Sequence, residues 1–552
     1  MPIFAVILKK PMIRGIIIGI LLVLTLGFGV LIGLKLNQFW PDTTYNNPDG
    51  KFSEVLQLLN YYYIKPLNDQ TLTDEAISCM LKSIDPHTFY IPKSEMEEVE
   101  DQMSGSFDGI GIEFQIIDDT LYVVTPLSGG PSERAGIQMG DRIITIEGEN
   151  VAGVKITSND VVKKLRGKKG TLVKIEVRRH GFSKLLPFTL TRDAIPVHSV
   201  DFSYLVNDTL GYIKVSRFAE TTYKEFRDNL NNLKKQGMKH LLLDLRGNPG
   251  GYLQMAEYMA DAFLKENKLI VYTEGRTPES KSRYEATAEI ADFENGALIV
   301  LIDQGSASAS EIVSGAVQDW DRGIIVGTRS FGKGLVQTQR KLKDGSAVRI
   351  VVSRYFTPSG RCIQKPFETS TEEYQNEVYK RIETGELYDE SKIKFPDSLK
   401  YKTHKGRTVY GGGGIMPDFF TPKDTTSWSE TLSEFLANGL FRQFAIRYAE
   451  ANPQLKKQYL NGLAFAKQFQ PTPEMLQEML NFAKQQKIEI KKEDLTTSKL
   501  LINNYLKAYI GRAYFNDAGF YPSLHQQDNT FLRGVSLLPE AIKLIQNENP
   551  MP

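Results

Sequence analysis

Three serines and a lysine raise the first chemical question in this chain. Ser306, Ser308 and Ser310 alternate with alanines in Gly305-Ser306-Ala307-Ser308-Ala309-Ser310-Glu311, soon after the apolar run Ala297-Leu298-Ile299-Val300-Leu301-Ile302. Lys333 follows downstream in Ser330-Phe331-Gly332-Lys333-Gly334, after a second apolar run, Gly323-Ile324-Ile325-Val326-Gly327. A hydroxyl is a poor nucleophile until a base removes its proton. A lysine can be that base when burial disfavours its charged form, and Phe331, Leu335 and Val336 would supply apolar surroundings. Gln337 could orient the amine without adding negative charge. If Ser308 opens a helix running to Asp319, the Ala309 N–H can face a developing oxyanion, with Gly250 or Gly251 as a second donor. Residue types alone do not choose among the three serines.

Two other chemistries compete for the same stretch. None of the six histidines shares a motif with residues 305–311; His240, the nearest, sits in the apolar run of a strand. A Gly-x-Ser-x-Gly nucleophile elbow is also missing from the sequence. Gly327-Thr328-Arg329-Ser330-Phe331-Gly332-Lys333 does fit a phosphate-binding loop. Gly334 then stands where Ser or Thr must hold Mg²⁺, and Leu335-Val336-Gln337-Thr338 reads as strand where that loop needs a helix. Nucleotide is therefore set aside, and neither metal nor cofactor is implied. Taken in isolation, Ser-Ala-Ser-Ala-Ser would read as a small-residue helix packed on a sheet, with Lys333 solvated.

The elements that must hold these residues are legible from about residue 203, where strands and helices alternate. Leu210-Gly211-Tyr212-Ile213-Lys214-Val215 and His240-Leu241-Leu242-Leu243-Asp244-Leu245 read as strands, and residues 223–236 and 252–263 as helices. That alternation predicts a mostly parallel, layered α/β core over residues 193–428, its site at strand ends. Residues 365–408 are polar and read as an insertion. Residues 429–552 keep helical spacing, with Thr472-Pro473-Glu474 as a helix start, and read as a helical accessory domain. Its apolar positions suit a homodimer or adaptor surface, or packing on the core.

Upstream, residues 41–104 read as a helical module: Phe52, Val55, Leu56, Leu59 and Tyr62 keep helical spacing, as do Ile77, Met80, Leu81 and Ile84. Asp85-Pro86-His87 interrupts it, and His87 reads as a turn histidine beside Phe89 and Tyr90. Residues 105–192 carry short strands, one amphipathic helix at 158–165, and Gly, Asp and Pro turns.

Composition bounds the partners. The 552 residues exceed one core, predicting a multidomain chain, and a net charge of +1 argues against nucleic acid. Cys79 and Cys362 form no metal pattern and leave one bridge between them open. Residues 15–34 carry no charge and follow Lys9, Lys10 and Arg14. A helix of that length spans roughly 30 Å, a bilayer's hydrocarbon thickness. Residues 1–40 therefore read as a cytoplasmic tip and single-pass inner-membrane anchor, with everything beyond in a bacterial periplasm.

Gly109-Ile110-Gly111-Ile112, Pro131-Ser132-Glu133-Arg134-Ala135-Gly136-Ile137 and Gly140-Asp141-Arg142-Ile143 resemble the pieces of a bacterial-type PDZ domain. Such a domain adds an extended peptide to a sheet edge and holds its terminal carboxylate on backbone amides, here in Gly109, Ile110, Gly111 and Ile112. With that domain upstream, residues 305–311, 330–337 and 354–364 resemble the carboxy-terminal processing (tail-specific) peptidases, over roughly residues 50–364. The resemblance implies a serine endopeptidase with a Ser308–Lys333 dyad, Gln337 as orienting residue and Asp319 as a further polar residue nearby. It implies an oxyanion hole from the amides of Ala309 and Gly251, with Gly250 as the alternative. It also implies protein substrates with free carboxyl ends. The competing class is a catalytically silent PDZ scaffold or adaptor of the envelope.

Overall fold

A computed structural model of the chain describes residues 15, 19–30, 48–127, 129–179, 181–367, 371–424 and 426–546. The chain separates into two compact units, Met1–Ile77 and Ser78–Pro552. The first holds the helix Pro48–Tyr62 and the start of the helix Asp69–Lys82. The membrane anchor expected at residues 15–34 lies partly outside the described residues. Among those described, no helix is long and apolar enough to cross a membrane.

The second unit is built on an open sheet whose strands run in the order Val200–Leu205, Leu210–Val215, His240–Asp244, Leu298–Ile302, Ile324–Gly327, Phe419–Phe420. Only the first pair is antiparallel; the other four pairings are parallel. The central strands are apolar on both faces because both faces are covered. Ile213, Leu241, Leu243, Val300 and Ile325 pack under the helices Thr222–Lys235, Leu253–Asp261 and Ala309–Asp319. On the other face, Tyr212, Leu242, Leu301 and Ile324 meet Phe531, Leu537, Ala541 and Leu544.

That second contact redraws the carboxyl-terminal boundary. Helices Asn529–Ser536 and Leu538–Gln546 supply the sheet's second layer, so the last part of residues 429–552 belongs to the core. The remainder packs around Phe435, Phe441, Phe465, Leu506 and Ile510. Most apolar positions of residues 429–552 thus pack internally, while Leu460 and Leu500 stay exposed.

A second, antiparallel sheet faces the site. It joins Phe89–Ile91, Leu335–Lys341, Leu269–Gly275 and Ser282–Glu285 to the long strand Ala347–Phe356. Phe89–Ile91 corrects the all-helical reading of residues 41–104, since this strand after the His87 turn pairs with Ala347–Phe356. The insertion carries the helix Thr371–Glu383 and the strand Lys400–Lys402, which pairs with Thr408–Tyr410 at its end. Both cysteines are free thiols.

Residues 105–192 hold the expected short strands, among them Ile112–Ile117, Thr120–Pro126, Arg142–Ile146, Leu172–Arg178 and Leu186–Thr191, and the expected helix at Ser158–Leu165. Thr157 and Asp160 close a capping box at the start of that helix, which explains its sharp onset.

Candidate active site

The three serines, indistinguishable by type, differ in surroundings. Ser306 is fully buried and its Oγ donates to the Leu245 carbonyl at 2.8 Å. Ser310 is equally buried and donates to the Asn248 carbonyl at 3.0 Å. Ser308 is only half-buried and lines an open cleft of roughly 860 Å³ together with Lys333, Gln337, Gly250 and Gly251. It sits at the N-cap of the helix Ala309–Asp319 with φ 53° and ψ −112°. A non-glycine residue held in such a region costs about 1–3 kcal/mol and persists only where its neighbours impose it. No Gly-x-Ser-x-Gly motif marks this turn, yet a strained serine between strand and helix is what it builds.

Glu311 imposes much of that geometry. Its side chain is fully buried, and Oε2 accepts the Ser308 amide at 2.8 Å and the Lys333 amide at 2.9 Å. Oε1 accepts the Gly332 amide at 2.7 Å and the Ser330 hydroxyl. Burial pushes this carboxyl up, while the Ser330 hydroxyl and the three amides pull it back. One carboxylate therefore ties the serine's backbone to the lysine's loop. Tyr355 ties them again: its one hydroxyl proton is shared between the carbonyls of Lys333 (2.8 Å) and Ser308 (3.1 Å). The Ser-x-x-Glu spacing of Ser308 and Glu311 is a capping-box signature and could have flagged the glutamate; nothing in the sequence flags Tyr355.

Lys333 enters from the other sheet, just before the strand Leu335–Lys341. That strand, where a phosphate loop needs a helix, removes the nucleotide reading. The Lys333 ammonium donates to Gln337 Oε1 at 2.9 Å, and Gln337 Nε2 donates to the His87 carbonyl. Among the described residues, this bond to Gln337 is the one the amine makes; the Ser308 hydroxyl faces the same cleft without a hydrogen bond to it. Burial pushes the lysine below its usual range, the Arg349 guanidinium adds to that, and Glu311 opposes it. His87 contributes its carbonyl. Its ring packs edge-on against Tyr374, bonds the Tyr374 hydroxyl at 2.8 Å, and is pushed down to about 4 by burial and by Lys333. That ring does not line the cleft.

The glycine pair separates cleanly. The Gly250 N–H is already donated to Asn248 Oδ1 at 2.9 Å, whereas the Gly251 and Ala309 amides meet no acceptor among the described residues. Gly250, at φ +97°, lies so close that a Cβ would fall 2.7 Å from Ser308 Cβ. Its role is to let the two segments touch. Asp319, expected near the site, ends the helix that Ser308 begins, about 15 Å away along eleven residues. There it forms a fully buried ion pair with Arg361 at 2.7 Å. The helix between them is buried throughout, so the plain reading of a small-residue helix packed on a sheet also holds.

Walls of the cleft come from Phe218, Leu253, Ile312 and the helix Met96–Ser104, through Val99 and Met103. This helix leads into the first strand of the PDZ region, Ser106–Gly109, and Asp101 on it pairs with Arg166 after the PDZ helix at 2.6 Å. Within the PDZ domain, Gly109 ends its strand and Ile112 begins the edge strand of the sheet. Between them Ile110 is buried in the domain core, and its carbonyl accepts the Ser132 amide; the Gly111 carbonyl accepts the Leu127 amide. Of the four, Ile112 alone lies on that edge strand, while Gly109 pairs with Asp193.

Residues 209–371 match the model of peptidase family S41, residues 122–179 that of a PDZ domain, and residues 431–516 a family of unknown function, DUF8443. The class is thus a serine peptidase carrying a PDZ domain, and it binds peptide. A carboxy-terminal-processing protease of Bartonella bacilliformis is 36% identical over 61% of this chain and 78% of its own length. The carboxy-terminal processing protease CtpA of Bacillus subtilis is 34% identical over 58% of this chain and 68% of its own. Among solved structures, the photosystem II D1 C-terminal processing protease is 25% identical over 68% of this chain and 93% of that one, with a TM-score of 0.35. The chain belongs to peptidase family S41, the carboxy-terminal processing proteases.

Proposed function

We propose that this chain is an envelope endopeptidase that cuts proteins selected by their carboxyl-terminal tails, using Ser308 as nucleophile and Lys333 as general base. The observation that carries this reading is the shared cleft: Ser308 is the one of the three serines that is not fully buried, and Lys333 lines the same cleft with a lowered pKa. In the reaction the neutral amine takes the Ser308 proton as Oγ attacks the scissile carbonyl. The amides of Gly251 and Ala309 receive the oxyanion, and the ammonium returns its proton to the leaving amine. Lys333 then activates the water that frees the acyl group. Gln337 keeps the amine aimed throughout and, being neutral, does not raise its pKa. The PDZ edge strand holds the substrate's tail. The uncharged stretch at 15–34 behind Lys9, Lys10 and Arg14 supports a membrane anchor, placing the catalytic part in the periplasm. Recovering the chain without residues 1–47 in the membrane fraction would sink the anchor.

Ser308→Ala and Lys333→Ala should each abolish cleavage of an unfolded protein with an apolar tail while leaving thermal unfolding unchanged. Cleavage surviving either substitution refutes the dyad. Tail-peptide binding without any cleavage by the unmutated chain would favour the silent scaffold instead.

A further inference from the structure

The loop carrying Lys333 runs through the interior, so each of its backbone groups needs a partner. From Ser330 to Gly334 the amides go to Ile415 O, Ser306 O, Glu311 (twice) and Gln364 Oε1. The carbonyls of Gly332, Lys333 and Gly334 accept from the Lys365 amide, the Tyr355 hydroxyl and the Tyr355 amide. Three consecutive carbonyls remain, those of Arg329, Ser330 and Phe331. All three are met by one side chain, Arg381, at 3.3, 2.7 and 3.1 Å.

Arg381 belongs to the helix Thr371–Glu383, inside the segment that reads from sequence as a polar insertion. It is 2% exposed, and its Nε is held by Glu377 at 2.8 Å. Glu377 also holds Lys365 at 3.1 Å and reaches Arg329 at 3.4 Å. A guanidinium's fixed fork can serve three carbonyls at once, which a lysine's point charge cannot. Burying a cation against carbonyls alone would be costly; Glu377 supplies the countercharge that makes it tenable.

We propose that Arg381 is a positioning residue for catalysis: the insertion exists in part to fix the main chain of the Lys333 loop from behind, while Glu311 fixes it from the front. The proposal rests on Lys333 being the base. It gives the insertion a role in setting where the amine sits and how well water is kept from it.

The test uses the full chain and the variants Arg381→Lys, Glu377→Gln and Lys333→Ala. Arg381→Lys keeps the charge, so any change reports geometry. A misplacement of about 1 Å costs roughly 10²-fold in rate. The expected result is a kcat lower by roughly ten- to a hundred-fold, KM within about twofold, and tail-peptide affinity unchanged. The acid limb of the kcat–pH profile should also move to higher pH, because a less confined amine regains its ordinary basicity. Should Arg381→Lys fail to fold, Glu377→Gln leaves the guanidinium in place without its countercharge and should move the same limb less far. A folded variant with wild-type kcat overturns the proposal, and so does a loss of rate with the limb unmoved. Lys333→Ala separates the two failures: cleavage surviving there removes the dyad and this inference together, whereas its loss beside an unaffected Arg381→Lys removes this inference alone.

Discussion

Two regions of the molecule are held by charge, and they are held differently. The lysine loop is fixed by buried groups: Glu311 is fully buried, Arg381 is 2% exposed, and their partners are mostly main-chain amides and carbonyls. The seam between the PDZ domain and the helical domain is held by side chains that water reaches. Arg447 pairs with Asp118 at 2.6 Å with 36% and 61% of those side chains exposed. Arg442 and Arg512 both reach Glu113, and Arg142 reaches Glu450 at 3.8 Å. Exposed pairs are worth about 0–1 kcal/mol each and weaken with salt. A buried group stripped of its partner costs about 1–3 kcal/mol. The geometry around Ser308 and Lys333 is therefore stiff, and the seat of the PDZ domain is soft.

The sharpest way to break that contrast is to disturb the stiff side with one methyl group. Gly250→Ala would place a Cβ 2.7 Å from Ser308 Cβ and 2.9 Å from the Ala309 amide, at a φ of +97° that alanine rarely adopts. Neither neighbour can yield without moving the nucleophile or an oxyanion donor. We expect kcat to fall by roughly 10²- to 10³-fold with tail-peptide binding intact. Steady-state kinetics that stay within threefold of wild type would show that the site is more compliant than its packing implies.

A second measurement sharpens the stiff side without mutation. Lys333 is pushed down by burial, then by Arg349, and as the proposed base it must be neutral to accept the Ser308 proton. Activity should therefore rise with pH through a lysine pKa below the usual 10.4, by about tenfold per unit on its acid side. Stability follows the same sign: the folded state resists protonating this lysine, so its contribution improves as pH rises from the lowered pKa towards the unfolded one. His87, pushed to about 4, would give a limb far more acidic. A kcat–pH profile with its acid limb near 4 would point to a histidine and away from the lysine.

How much of this was legible depended on whether the cause was local. The helix Ser158–Leu165 announced itself through its amphipathic spacing, and the strand Leu298–Ile302 through an unbroken apolar run, because a strand covered on both faces needs one. That Ser308 and Lys333 would share one cleft was reachable because each lies in a short small-residue or glycine-flanked stretch after an apolar run. The choice of Ser308 over Ser306 and Ser310 was not, since it rests on which hydroxyls find carbonyls of Leu245 and Asn248 across the fold. Asp319 came only from the family resemblance; it ends the helix that Ser308 begins and pairs with Arg361. Arg381 was hidden most deeply: a charged residue in a polar stretch looks solvated until the carbonyls it buries against are known. For the same reason the final helices looked accessory, since their partner sheet lies more than two hundred residues upstream.

The smallest expected effect tests the soft side. Arg447→Ala removes one half-exposed pair with Asp118, and its guanidinium also lies over the Phe482 ring at 4.6 Å. Stability should drop by no more than about 1 kcal/mol, because water replaces most of what is lost. Turnover of a tailless peptide should not change, since nothing in the lysine loop touches Arg447. What should move is discrimination between tails, by about two- to threefold, because the helical domain then holds the Ile112–Ile117 edge strand less firmly. Raising the salt from 0.05 to about 0.5 M should mimic the variant in the unmutated chain, since screening acts on the same pairs. If selectivity shifts in neither experiment, the seam is not what seats the PDZ domain, and the covalent route through the helix Met96–Ser104 with its Arg166–Asp101 pair must hold it. If tailless turnover shifts as well, the two regions are coupled and the division into stiff and soft is wrong.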